Sequence, residues 1–300
     1  LGHASRIIKV TESTLRLFAN LYDEDDTSPS QARLPALHST ELTSVLEKLA
    51  SAESRLGDFS GEFYATVMFD ETYAQRDKII KQHTIFPENL GKLILSGPHF
   101  YVCNPLYKTP DKVCNKHHDY SFLYLEYLSD DYLPRTNFLP ACSSEQYQHS
   151  IPRVNWLEHG DKIAKLVTDY YRLCFSRALS QSGERTLRTS IIPKYVGHID
   201  GVFSLTLRNV TLIPLLAGLW GSLPYDFLIK STGKSDFRGD LAKKMPVANL
   251  DSSLPVLNSR SLSLNCLTSH YSELWTECWR KEFTSDRWAK NDPRLNNDFF

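Results

Sequence analysis

Four potential metal ligands fall within sixteen positions: Cys103, Cys114, His117 and His118. Thiolate and imidazole are zinc donors, but adjacent histidines point to opposite sides of a strand and diverge by about 100° on a helix. The spacing reads as two core thiols and two loop imidazoles, and no metal site is assigned. The acidic runs Asp23 to Asp26 and Asp130-Asp131 lack the ligand spacing of a calcium loop and read as solvated turns. No G-x-S-x-G elbow, H-E-x-x-H pair or phosphate-binding P-loop occurs. Cationic chemistry is what stands out. From Asp161 to Lys244, thirteen Lys and Arg face seven Asp and Glu, a local charge of +6 in a 300-residue chain whose net charge is −1. Such a segment suits an anionic partner. Arg177, Arg185 and Arg188 flank a Ser180-Gln181-Ser182-Gly183 turn, and Lys230, Ser231, Lys234 and Ser235 surround Gly233, with Arg172 and Lys194 nearby. Lys and Arg neutralise phosphates, hydroxyls and amides fix register, and Arg reaches guanine O6 and N7 with two bonds. These nine residues are the expected contacts to double-stranded DNA.

Hydrophobic residues make up 41% of the chain and charged residues 23%, which excludes wholesale disorder, a collagen-like repeat and a coiled-coil rod. The longest apolar stretch, Val210 to Leu228, is broken by Pro214, Pro224 and Asp226, so no membrane span is expected. Six scattered cysteines without a C-x-x-C pair suggest reduced thiols and a cytoplasmic setting. The chain opens on Leu with no signal-peptide pattern, which reads as a piece cut from a longer protein.

Three stretches must position these groups. Residues 1–57 form an N-terminal helical module: Thr11 caps a helix through Leu15, Leu17, Phe18 and Leu21, and Ser39 opens a second carrying Leu42, Val45, Leu46 and Leu49. Residues 58–160 are a loop-rich mixed segment, with short strands at Phe63 to Phe69, Lys92 to Leu95 and Phe100 to Cys103. Residues 161–300 hold the DNA target-recognition segment and C-terminal helices. There Asp169 to Arg177 and Thr186 to Pro193 form a hairpin, and Val202 to Leu207 a third strand. Leu212 to Lys230 is a long apolar helix interrupted near Pro224, followed by helices at Asp236 to Lys244 and Tyr271 to Phe283. The expected fold is mixed α+β: a small sheet region with packed helices and a loop-rich middle.

The series Tyr170-Tyr171-Arg172 through Arg177, Gly183-Glu184-Arg185-Thr186 through Ile191-Ile192-Pro193, then Gly197-His198, is distinctive. It resembles the YR…FR…ERT…IIP block in the target-recognition region of large adenine-N6 DNA methyltransferases. These are the type IIG restriction–modification enzymes and the related methylases of BREX-like phage-defence systems. The family's next motif, an apolar helix ending in LNS…D…R and closing at LP, is similar to Leu219 to Asp226 with Lys230 and Met245-Pro246. Gly221 stands where the family favours Asn, and Lys230 where it favours Arg. The likeness runs from Asp169 to Pro246.

The resemblance implies a DNA-binding target-recognition fragment of a site-specific adenine-N6 methyltransferase. It would grip the duplex for an upstream methyltransferase domain of the same chain, and S-adenosylmethionine would bind that parent domain rather than this fragment. Asn104-Pro105-Leu106-Tyr107 is one residue from the Asn-Pro-Pro-Tyr motif with which such enzymes hold a flipped adenine. No G-x-G turn precedes it, so Asn104 and Tyr107 are candidate catalytic residues only if the chain is itself a divergent methyltransferase. A scaffold that docks protein partners through the aromatic loops between Phe100 and Trp156 is a third reading.

Overall fold

A computed structural model describes residues 3–24, 26–290 and 292–295; Asp25 of the first acidic run lies outside the described residues. At its centre is a four-stranded antiparallel sheet in the order Phe63–Thr66, Val202–Leu207, Arg172–Ser176, Thr189–Ile192. Leu205 stands opposite both Ala65 and Leu173, and Leu173 opposite Ile191. The last three strands are buried at every residue, so both sheet faces are covered. Side chains still alternate between the faces. Leu173, Phe175, Ile191, Phe203 and Leu205 enter the main core, whereas Cys174, Ile192 and Val202 meet Leu93, Leu95, Phe100 and Val196 on the opposite side.

Helices cover the first face. Thr11 caps Glu12–Tyr22 by accepting the Thr14 amide at 3.3 Å, and the second expected helix is Glu41–Ala50. Phe18, Leu21 and Leu46 from these helices share one core with Trp220, Ile229 and Phe237. Phe69, Ile80, Phe138, Tyr147 and Trp156 of the middle segment form a second cluster with Val167 and Ile199. The expected long helix is two, Leu212–Trp220 and Leu223–Ser231, bent by 65°. Pro224 sits in the first turn of the second, where a missing N–H has no intrahelical partner to lose. Among the described residues no single helix is long and apolar enough to cross a membrane. The bent pair passes on composition, but it buries Ile213, Trp220, Leu228 and Ile229 in the main core.

Leu254–Asn265 is a helix that its sequence pattern does not announce, because Ser259, Ser261 and Asn265 are on its buried side. It packs closely on Gly218, where a Cβ would stand 2.4 Å from Ser261 Oγ and 2.7 Å from Leu257. The later helices are shorter than expected, Gly239–Lys244 and Ser272–Cys278.

The loop-rich middle covers the other sheet face with small paired pieces. Ile80–Ile85 pairs with Thr136–Pro140, Lys108–Pro110 with Tyr120–Phe122, and Ile94–Leu95 runs parallel to Gly197–His198. Phe100 to Cys103 is a turn, not the expected strand. Tyr101 and Asn104 exchange backbone hydrogen bonds of 2.9 Å around Cys103, whose φ is +54°. The whole is a mixed α+β fold.

Candidate nucleic-acid interface

The nine expected DNA contacts do not form one surface. Arg172 is fully buried in the central sheet, donating to the Val196 carbonyl and to Met68 Sδ, so it cannot touch a duplex. Ser231 is buried too, its hydroxyl 2.7 Å from that of Tyr22. Arg177 bridges Asp200 at 3.0 Å and Asp236 at 3.8 Å, and Lys234 pairs with Asp240 at 2.9 Å. Lys194 meets Glu273 at 2.5 Å and lies over the Tyr171 ring. Lys230 donates to the Gly183 carbonyl at 3.0 Å, tying its loop to the hairpin turn. Ser235 stays exposed. The later-half cationic surface is thus corrected: most of its charges are held by acids or carbonyls of the same fold, at shared loops a sequence count cannot see.

Arg185 has a particular structural part. Its guanidinium pairs with Asp226 at 3.4 Å and donates to the Gly221 carbonyl at 2.7 Å. The Asp226 carboxylate also accepts the amides of Thr186 and Leu187 at 2.8 and 2.6 Å. Forty residues apart, the Glu184-Arg185-Thr186 run and the helix bearing Asp226 are therefore locked by one buried carboxylate. Gly221 has a local reason: a Cβ there would stand 2.7 Å from both Cys103 Sγ and the Ala217 carbonyl oxygen. The side chain that the sequence lacks at 221 is displaced by the turn preceding Asn104.

Arg188 alone of the hairpin arginines turns toward an open space. It donates to Ser176 Oγ at 2.6 Å, and among the described residues no carboxylate lies within ion-pair distance. Partial burial lowers its pKa, an effect opposed by the nearby Tyr101 and Tyr107. It opens onto a cleft of about 560 Å³ between the sheet and the loop-rich middle, shared with Tyr107, Lys108, Lys116, His117, Gln82 and Asn137. Glu71 also lines this cleft, and burial together with Asp200 and Asp70 raises its pKa.

Three hydrogen-bonded contacts hold the cleft wall. Tyr120 is buried and its hydroxyl meets Ser96 Oγ at 2.6 Å, which fixes the Lys108–Pro110 and Tyr120–Phe122 pair against the sheet. His99, fully buried beneath, has Nε2 2.8 Å from the Arg135 carbonyl, and burial lowers its pKa. The turn before Tyr107 is pinned by the Cys103 amide donating to the Thr189 carbonyl at 2.7 Å.

Asn104 is not on the cleft wall; its side-chain oxygen accepts the Leu106 amide at 3.2 Å within its own turn. Tyr107 is on the wall, stacked on Tyr101 with ring centroids 5.1 Å apart. The two candidate catalytic residues are thus split between the inside of a turn and the cleft. Cys103 and Cys114 are likewise separated from each other, Cys103 against Gly221 and Cys114 at the cleft with His117. Among the described residues no group of three or more His, Cys, Asp or Glu is placed to hold a metal, and all six cysteines are free thiols. Lys108, which with Lys112 the sequence offers as a DNA contact beside Asn104 to Tyr107, and Lys116, which sequence reading missed, sit in the proline-rich stretch; the Lys108, Lys112 and Lys116 spacing was the available signal. No protein-family model matches the chain, and no curated protein does.

Proposed function

We propose that this chain is the DNA target-recognition part of a site-specific adenine-N6 DNA methyltransferase, of restriction–modification or phage-defence type. It grips duplex DNA for a methyl-transfer domain of the same protein, which would bind S-adenosylmethionine. The reading draws on the likeness of Asp169 to Pro246 to that family, and on the way the two resembling motifs bond to each other at Asp226. The observation that carries DNA binding is Arg188: a member of the resembling block, it opens with Lys108 and Lys116 onto one cleft, away from carboxylate partners among the described residues. Unpaired cations converging on a groove offer the phosphate neutralisation on which duplex affinity rests. Arg177, Arg185, Lys194 and Lys234 act instead to hold the recognition unit in shape.

The test is fluorescence anisotropy of a labelled duplex across a salt series. Affinity should fall steeply with salt, and a triple Arg188→Ala, Lys108→Ala, Lys116→Ala variant should bind at least tenfold more weakly with a shallower salt slope. Lys234→Ala, which breaks an exposed ion pair away from the cleft, should leave affinity unchanged. Absence of salt-dependent duplex binding, or an unaffected folded triple variant, overturns the reading. Saturable S-adenosylmethionine binding to this chain by calorimetry would favour a divergent methyltransferase acting through Asn104 and Tyr107.

A further inference from the structure

Among the described residues, Glu71 is the one carboxylate lining the cleft, and it is half-buried there. Its backbone is engaged: the amide donates to Asp200 Oδ1 at 3.3 Å, and the carbonyl accepts from Gln75 Nε2 at 3.3 Å. Its carboxylate has neither an ion-pair partner nor a hydrogen-bond donor among the described residues, and its charged neighbours, Asp200 and Asp70, are both acids. An acceptor withdrawn from water without a donor costs free energy that the N–H of a ligand recovers.

The cations of the cleft stand apart from this acid. Arg188 is fixed by its bond to Ser176 Oγ and lies in the field of Tyr101 and Tyr107, whereas Glu71 lies in that of Asp200 and Asp70. Lys108 Nζ is 5.3 Å from the Tyr107 ring centroid, beside the same ring as Arg188. Neighbouring acids outside the lining have their own work. Asp200 pairs with Arg177, Asp70 takes the Tyr73 amide at 2.9 Å, and Asp111 takes the Ser121 hydroxyl at 2.6 Å. Asp119 accepts the amides of Asn115 and Lys116, and exposed Glu184, near Tyr101, does not line the cleft. Phe100, Phe138 and Ile199 add apolar wall.

A cleft of about 560 Å³ is the size of a site for a small organic ligand, roughly 300–1,000 Å³. A duplex can rest phosphates at its mouth but cannot enter, since its major groove alone is about 12 Å wide. The lining calls for an anionic group, a flat apolar body and donors for Glu71, and a nucleotide carries all three. Guanine suits a lone carboxylate best, because its N1–H and N2–H stand side by side, one for each oxygen. Adenine and cytosine set a ring-nitrogen acceptor beside their amine, and thymine flanks its N–H with carbonyls.

We infer that the cleft binds a guanine nucleotide, Glu71 accepting from N1–H and N2–H of the base while Arg188 and Lys108 face the phosphate. The inference goes beyond the duplex-binding reading and shares two cations with it. The same chemistry has two sources, a free nucleotide and a guanosine turned out of a DNA strand.

Calorimetry of the whole chain with dGMP, dAMP, dCMP and dTMP, each taken to about millimolar concentration, should give dGMP an affinity about tenfold or more above the others. The inosine nucleotide dIMP, which lacks the N2 amine, should lose most of that advantage. Glu71→Gln puts a donor where an acceptor stood and should erase the preference, with far-UV circular dichroism checking its fold. Arg188→Ala should weaken all four by a similar factor and keep their order. A second arm measures, by anisotropy, an intact duplex against duplexes carrying one extrahelical guanosine or one extrahelical thymidine. A Glu71-dependent gain for the guanosine makes DNA a source; a gain confined to dGMP makes it the free nucleotide. Absence of both gains, or a preference that survives Glu71→Gln, overturns the inference, and salt-dependent binding of the intact duplex then still stands. Glu71-dependent dGMP binding by a chain that binds no duplex does the reverse.

Discussion

The hairpin of residues 172–192 and the proline-rich stretch beside it carry comparable chemistry and use it in opposite ways. In the hairpin, Arg172 is buried, Arg177 joins Asp200 and Asp236, and Arg185 joins Asp226. In the stretch from Lys108 to Tyr127, Lys108 lies over the exposed Phe122 ring without a carboxylate partner among the described residues, and Asp111 and Asp119 are occupied by local turns. A net charge counted along sequence therefore says little about a surface. What matters is whether each cation finds an acceptor within its own fold, and segments that cross one another in space, as the hairpin does with its following helices, find many.

The sharpest way to break this contrast is Asp226→Ala. It leaves the Thr186 and Leu187 amides and the Arg185 guanidinium without their shared acceptor in a buried setting. Removing one partner of a buried pair costs about 3–5 kcal/mol, so the chemical-denaturation midpoint should fall steeply. Asp226→Asn keeps one acceptor oxygen and should cost less. A loss below about 1 kcal/mol would mean the hairpin arginines are not structural, and the division between the two regions would dissolve.

How much of this was legible beforehand follows the same line. Strong periodic signals carried through: Val202–Leu207 is a strand at its expected bounds, the hairpin forms, and Thr11 caps its helix. Three-residue strands such as Lys108–Pro110 and Tyr120–Phe122 and single 3-10 turns are too short to show a period, so most of the middle read as loops. Leu254–Asn265 was invisible because serines and an asparagine occupy its inward face; Asn265 takes the Ile191 amide at 2.8 Å. For the site, residue types were legible and partners were not. Asp200, Asp226, Asp236 and Asp240 each take a cation of their own segment, pairings that only folding brings together.

A second, more graded difference between the regions is acid sensitivity. His198 lies under the sheet with Nδ1 3.1 Å from the Ile199 carbonyl, which only a donor satisfies, so Nε2 accepts from Ser204 at 2.8 Å. Burial, reinforced by the nearby Arg172 charge, lowers its pKa to about 3 from the usual 6.5. The folded chain keeps this imidazole neutral while the unfolded chain protonates it, so its contribution is intact above pH 6.5 and is lost as pH falls toward 3. One differential proton gives a slope of at most about 1.4 kcal/mol per pH unit. His198→Gln should flatten the stability profile by that much between these limits, read by denaturation at each pH. An unchanged profile would show that His198 takes up its proton without unfolding.

The smallest effect is the most discriminating. Arg172 carries a buried guanidinium whose partners are the Val196 carbonyl and Met68 Sδ, with Nε unpartnered, and burial lowers its pKa to about 10. A charge held this way owes little to Coulomb attraction, because among the described residues no carboxylate faces it. Arg172→Met keeps the apolar stem and removes the charge that must be kept out of water; such exchanges are often neutral or stabilising. Stability at pH 7 should change by less than about 1 kcal/mol, and duplex affinity by less than twofold. The variant should also raise the His198 titration toward its unfolded value, since one cause of its lowered pKa is gone, so less stability is lost on acidification and acid unfolding moves to lower pH. A tenfold loss of DNA affinity in a folded Arg172→Met chain would return the hairpin arginines to the nucleic-acid surface and erase the distinction between the two regions.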